Sequence, residues 1–239
     1  MPASTERQLG GSFRVECRAA ADLPDDALQK LDAVLQGFVD SIPAGLFYPA
    51  RSGDAAVLPP APGDERRYRG RVFSAERLTP GAFRVLNGML ASFHTMTAPL
   101  ATAAAYLNDG PVNLLRVRAP YPTAPTALPF EVEIAEPAEG VAPPASVRVE
   151  FVTPPPAEER ETFLPPFATW NRLVWGGYPV DDDPPGESGV GATETHFLTP
   201  RVLEHAIESY RADARCFDLI VNLATAWSAR HQIRAVYVE

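Results

Sequence analysis

His196 and Glu194 are the two side chains whose types and spacing best suit proton transfer. They lie two residues apart in a short run, 193–197, that alternates in the manner of a strand and would project both from one face. A carboxylate that orients an imidazole can make it a general base. The competing reading is a histidine on a half-buried strand with no chemistry to perform. Arg67, Arg69 and Arg71 repeat at the same two-residue period within the run 67–73. Three guanidinium groups on one face make an anion-binding stripe with bidentate reach for phosphate or carboxylate. Paired with neighbouring acids, they make only a solvated strand face. A third group is Asp181, Asp182 and Asp183, followed by Glu187, in a segment stiffened by Pro184 and Pro185. Clustered carboxylates can ligate a hard cation, but the spacing is not that of a calcium loop. The group reads as an exposed acidic loop suited to a basic partner. Trp170, Trp175 and Tyr178 come shortly before it, and aromatics at a loop edge serve as interface anchors as well as core.

The signatures of common catalytic sites do not occur in the sequence. It has no Gly-x-x-x-x-Gly-Lys-Ser/Thr phosphate loop, no Gly-x-Ser-x-Gly elbow, and no His-Glu-x-x-His or paired Cys-x-x-Cys. Of the remaining histidines, His94 reads as a partly buried helix residue and His231 as a helix end. His205, beside Glu204 and near Glu208, reads as surface pairing on a helix. No metal and no cofactor is expected, and no family pattern is met.

The elements that must position these residues follow from periodicity. Residues 12–17 alternate as a strand with Phe13, Val15 and Cys17 on one face, and 67–73 read as a second. Asp22 and Pro24 open a helix that carries Leu28, Leu31, Leu35, Phe38 and Val39 to a stop at Pro43; 49–64 read as loop. Thr79 and Pro80 open a helix whose stripe runs from Phe83 to Leu107, kinked or split at Pro99, before a strand at 113–118. Prolines at 120, 122, 125 and 129 mark a semi-rigid linker. Beyond it, 130–134 and 147–151 suggest a hairpin, and 158–174 a helix interrupted at Pro165 and Pro166. A long helix spans 201–230, and a last strand, 233–238, is apolar on both faces and so belongs inside a sheet.

Three short matches recur in the same order: Arg14-Val-Glu16 with Arg148-Val-Glu150, Tyr48-Pro49 with Tyr178-Pro179, and Leu78-Thr-Pro80 with Leu198-Thr-Pro200. They suggest an internally duplicated βαβαβ-like unit in an α+β fold with mixed sheets and helices on their faces. The first repeat is 1–119, the linker 120–129 and the second repeat 130–239, the two packed as one unit with a cleft at their junction.

With 239 residues, 46% hydrophobic and 21% charged, the chain can bury a substantial core. A net charge of −9 argues against nucleic acid, whose phosphates need a basic footprint, and suits a basic protein partner. No apolar run approaches the roughly 20 residues that cross a bilayer, and the first residues lack the pattern of a secretory leader. Two distant cysteines read as buried thiols in a reducing compartment. Lys30 is the single lysine, an arginine bias typical of a GC-rich bacterial coding sequence.

The expectation is therefore a non-enzymatic, cytoplasmic bacterial protein that binds another protein, such as an immunity protein neutralising a cognate toxin. Asp181, Asp182, Asp183, Trp175 and Tyr178 would contact the partner. The alternative is a small-molecule binder or enzyme with its cleft between the repeats, using His196 and Glu194 with Arg67, Arg69 and Arg71 as an anion clamp.

Overall fold

Alternation along the first strand, β1 (Leu9–Ala19), puts Phe13, Val15, Cys17 and Ala19 inside and leaves Arg14, Glu16 and Arg18 on the outer face. The structure is a computed structural model that describes residues 8–108, 110–112, 121–135, 145–175, 189–190, 193–208, 210–211 and 215–239. After β1, Pro24 leads into α1 (Asp25–Ala44), with Asp25 and Asp26 at the positive end of the helix dipole. Leu28, Leu31, Leu35, Phe38, Val39 and Ile42 recur at helical spacing and are buried, each worth ~1.5–3 kcal/mol of transfer free energy. The helix runs one residue past Pro43 and ends on Gly45, whose left-handed φ of +92° a side chain would resist.

The first unit continues through β2 (Arg51–Leu58), β3 (Tyr68–Leu78), α2 (Pro80–Met96), β4 (Leu100–Leu107) and the short β5 (Gly110–Val112). Its sheet has the order β2-β3-β1-β4-β5, with every pairing antiparallel. The second unit contains β6 (Glu131–Ile134), β7 (Ala145–Phe151), a 3-10 helix at Ala157–Phe163, α3 (Pro165–Trp175), β8 (Gly189–Val190), β9 (Thr193–Thr199), β10 (Val202–Ile207), β11 (Tyr210–Arg211), α4 (Cys216–Ser228) and β12 (Ile233–Val238). Its sheet has the order β6-β12-β7-β10-β9, antiparallel except where β6 runs parallel to β12; β8 and β11 pair separately.

The fold is α+β, as the sequence pattern implies, but the unit is βαββαβ rather than βαβαβ. With the added edge strands β5 and β6 set aside, the first strand of each half (β1, β7) lies between the fourth (β4, β12) and the third (β3, β10), with the second (β2, β9) at the edge: the ferredoxin-like order. The likeness is one of connectivity, and the sequence echoes map onto it unevenly. Arg14 and Glu16 on β1, and Arg148 and Glu150 on β7, do occupy the outer face of the first strand of each unit. Pro80 and Pro200 do not correspond. Pro80 is the first residue of α2, whereas Pro200 sits in the two-residue turn between β9 and β10.

Four local assignments change for identifiable reasons. The helix expected to reach Leu107 stops at Met96, because Pro99 has no amide to offer; Ala103 and Ala105 then alternate inward along β4. The helix expected at 201–230 is a strand followed by the shorter α4. Leu203 and Ile207 satisfy a helical i, i+4 spacing, but a strand also places i and i+4 on one face, and His205 between them is buried with them. Residues 51–58, read as loop, form the edge strand β2 despite their Ser, Gly and Ala content, because β3 pairs with them on both sides of an irregularity between Ser52 and Ala55. The runs 130–134 and 147–151 are not a hairpin: β12 lies between them, interior to its sheet as its two-sided apolar character requires. The strand expected at 113–118 lies outside the described residues.

Each sheet carries its helices on one face, and α1 packs against α3. The layers run sheet, helices, helices, sheet. At the contact, a Cβ built on Gly37 would sit 3.6 Å from Arg172 Cβ, and Arg172 reaches Asp40 at 3.6 Å. Near the end of α1, Asn222 of α4 donates to the carbonyl of Leu46 at 3.3 Å. The connecting segment is held too: Tyr121 and Phe130 are buried in the shared core, and the guanidinium groups of Arg84 and Arg215 lie 5.1 and 5.2 Å from the Tyr121 ring centre. No helix among the described residues is long and apolar enough to cross a membrane.

Candidate functional site

The arginine stripe faces the helix layer. Arg71 is only 3% exposed; its Nη2 donates to Asp32 at 2.7 Å, its Nε to Gln36 at 3.0 Å and its Nη1 to the Gly70 carbonyl at 3.0 Å. Arg69 lies 3.8 Å from the same Asp32 carboxylate and donates to the carbonyls of Glu65 and Tyr68, while exposed Arg67 bonds Asp22. The acids of α1 and its entry thus occupy positions an incoming anion would take, and Arg71 ties β3 to α1.

His196 and Glu194 lie on the other side of the molecule, on the outer face of the second sheet, and the fold does not bring them to the arginines. Cross-strand register sets out that face in rows. One row runs Glu133, Tyr237, Arg148, Glu204, His196 across β6, β12, β7, β10 and β9. A flanking row carries Glu131 and Glu150, with Arg234 bonded to Glu150 at 3.2 Å. The opposite side carries Glu194 and Glu239. Arg148 is the hub: its Nε donates to Glu204 at 2.9 Å and its Nη1 to Glu239 at 3.0 Å. His196 stands 3.9 Å from Glu194 and 4.0 Å from Glu204. Those distances exceed hydrogen-bond reach, so neither carboxylate orients the ring as a general base requires. Six carboxylates therefore share this face with two arginines, and Glu194 is 81% exposed.

Of the partner-binding residues expected from sequence, Trp175 ends α3; its side chain, together with Tyr178, Asp181, Asp182 and Asp183, lies outside the described residues. Trp170 is a core residue: fully buried, stacked on Phe217 at 5.7 Å, its indole N–H donating to the Cys216 carbonyl at 2.9 Å. Both cysteines are buried, and burial, reinforced by the charge of Glu16, pushes the Cys17 thiol up to about 12, which leaves it unreactive. No cluster of three or more metal-ligating side chains occurs among the described residues.

The group that sequence reasoning missed is His205. Far from a solvated helix face, it is 0% exposed on the inner side of β10, stacked on Phe167 at 4.7 Å and edge-on to Trp170 at 5.8 Å. Its Nδ1 lies 2.8 Å from Thr195 Oγ1 and its Nε2 lies 3.2 Å from Asn171 Oδ1. Asn171 donates through Nδ2 to Thr193 Oγ1 at 2.8 Å, so its oxygen accepts from Nε2–H, and Nδ1 is left to accept from Thr195. The sequence signal was the alternation Leu203, His205, Ile207. A hydroxyl, an imidazole and an amide in this order resemble a nucleophile, base and orienting group. Burial, however, lowers the imidazole from its ordinary 6.5 to about 4, which makes it a poor proton acceptor at neutral pH. The cluster is a polar lock between α3, β9 and β10.

The lock makes stability acid-sensitive. The folded chain keeps His205 neutral to about pH 4, while the unfolded chain binds a proton from pH 6.5 downward. Its stabilisation is complete above 6.5 and is lost as pH falls towards 4, in total ~3 kcal/mol. Denaturant melts of wild type and His205→Gln at pH 7 and pH 4.5 should converge or cross at the lower pH; parallel losses in the two would contradict this assignment.

No family model matches the chain, and no curated protein matches it. The chain is similar to a solved chain named provisionally as a glycine cleavage system transcriptional repressor, at a TM-score of 0.23 and 9% identity over 97% of this chain and 98% of that one. A similarity of that size carries no argument about fold or function.

Proposed function

We propose that the protein acts by binding another protein, and that the outer face of the second sheet takes a basic partner. The observation that carries this reading is the set of cross-strand rows: carboxylates on four of the five strands and at Glu239 just past the fifth, around Arg148 and Tyr237, on a sheet face whose other side is already packed on α3 and α4. Such a face offers electrostatic steering, with Tyr237 at its centre as an aromatic anchor. Asp181, Asp182 and Asp183, outside the described residues, would contribute further negative charge to the attraction of a basic partner. In the narrowest form of the reading, the partner is a toxin and inhibition is steric, as for an immunity protein. The cleft reading is less favoured, because contacts of α1 with α3 and of Leu46 with Asn222 fill the junction of the units.

The test compares wild type with a combined Glu131→Gln, Glu133→Gln and Glu194→Gln variant, immobilised in parallel. A basic partner retained by wild type should associate with the variant roughly tenfold more slowly at low salt, the gap closing above about 0.15 M as the charges are screened. A second arm changes Asp181, Asp182 and Asp183 to Asn. Association rates unaffected by both sets would remove the electrostatic reading. For the narrow form, co-expression should abolish the toxicity of a protein encoded by an adjacent gene.

A further inference from the structure

We propose that His205 is an acid-operated latch on the edge strand β9: protonation of the ring releases β9 from β10 and α3 while the rest of the fold stays closed. The imidazole joins three elements through one cluster, bonding Thr195 on β9 and Asn171 on α3 from its own place on β10. Both nitrogens are engaged by neutral groups, so among the described residues a second ring proton would have no counter-charge beside it. It would also convert Nδ1 from acceptor to donor and displace the Thr195 hydroxyl proton from its present partner. A buried cation left so must be hydrated or neutralised.

The surrounding groups leave hydration as the available route. Glu194 and His196 on β9, Glu204 on β10, and Arg148 and Glu150 on β7 occupy the outer face, on the far side of the sheet from the ring. On α3, Arg172 extends to Asp40, and its neighbours on the ring side are Phe167 and Trp170. The titratable groups at the start of α4 are the buried thiol of Cys216, whose carbonyl holds Trp170, and Asp218 in the first turn.

Water can reach the ring most cheaply from the β9 side. β9 is an edge strand with a single described neighbour in its sheet, and Thr195 and Asn171 are only partly buried. Opening from β7 or α4 would instead break the centre of the sheet or the shared core. Acid should therefore act on β9 first, and with it remove Glu194 and His196 from the outer face. This inference stands whether or not that face binds a partner, because its test reads the strand itself.

The experiment is amide hydrogen exchange on the full chain at pH 7, 5.5 and 4.5, each rate divided by the intrinsic rate at that pH to give an opening constant. In wild type, the opening constants of Thr193–Thr199 should rise roughly tenfold per pH unit below about 6.5 and stay well above those of β1 and β3, which open only with the whole fold. In His205→Gln, which can still donate to Asn171 and accept from Thr195, they should be flat. An equal acid response in His205→Gln, a flat response in wild type, or opening constants of Thr193–Thr199 no larger than those of β1 and β3 would each overturn the latch. If His205→Gln does not fold, an NMR titration of the wild-type ring decides. A ring that titrates near 6.5 in the closed chain would gain nothing from opening and would sink the proposal.

Discussion

Replacing Trp170 with alanine should lower unfolding free energy by about 4 kcal/mol, in the range expected for deleting a fully buried Trp and a large share of the 5–15 kcal/mol that holds a typical domain folded. The loss has two parts. The indole fills the space between Phe217 and His205, and its N–H ties α3 to the first turn of α4 through the Cys216 carbonyl. Trp170→Phe separates them, since it keeps most of the ring and removes the donor; about 1–2 kcal/mol should follow from that change alone. Urea melts with an unchanged slope and a lowered midpoint are the expected readout. A loss below about 1 kcal/mol for the alanine variant would mean that the side chain is not in the core.

Gly45→Ala should cost about 2–3 kcal/mol, unusually much for adding one methyl group. Two effects combine. The residue sits at φ +92°, where a side chain is strained, and its Cβ would come within 2.8 Å of Ala226 Cβ on α4. Gly63 provides the control, because it has a φ of +89° with nothing within 4 Å of a Cβ. Gly63→Ala should cost about 1 kcal/mol, the backbone part only. Ala226→Gly combined with Gly45→Ala should recover the contact part, a coupling that a double-mutant cycle measures. If Gly45→Ala and Gly63→Ala cost the same, the closeness of α1 to α4 has no energetic weight.

How far these features were legible in the sequence depended on whether one local rule acted alone. β1 and β12 were readable because strict alternation and two-sided apolarity leave no helical alternative. α1 was readable because five large apolar residues keep a 3.6-residue period between proline signals. The errors came where two rules overlapped. Leu203 and Ile207 fit helix and strand equally, and the choice was made by long-range pairing with β7, as it was for 100–107 by pairing with β1, which no local window contains. That error hid the lock: read as helix, His205 falls among glutamates, and read as strand it falls between two buried aliphatics. His196 and Glu194 were correctly placed on one strand, yet their distances are set by strand twist and side-chain rotamers, which spacing does not give. The arginine stripe was periodic as read. Its inward direction followed from the opposing residues Val15 and Cys17 of β1 and from Asp32 on a helix nearly forty residues away.

The contact of α1 with α3 has a consequence for the order of events at the ribosome. Every strand of the first unit has emerged before any residue of α3 is made, so the side of α1 bearing Gly37 stays wet until translation has passed residue 175. A nascent chain in that state leaves this side of the helix layer uncovered, and it is closed only when the second unit is made.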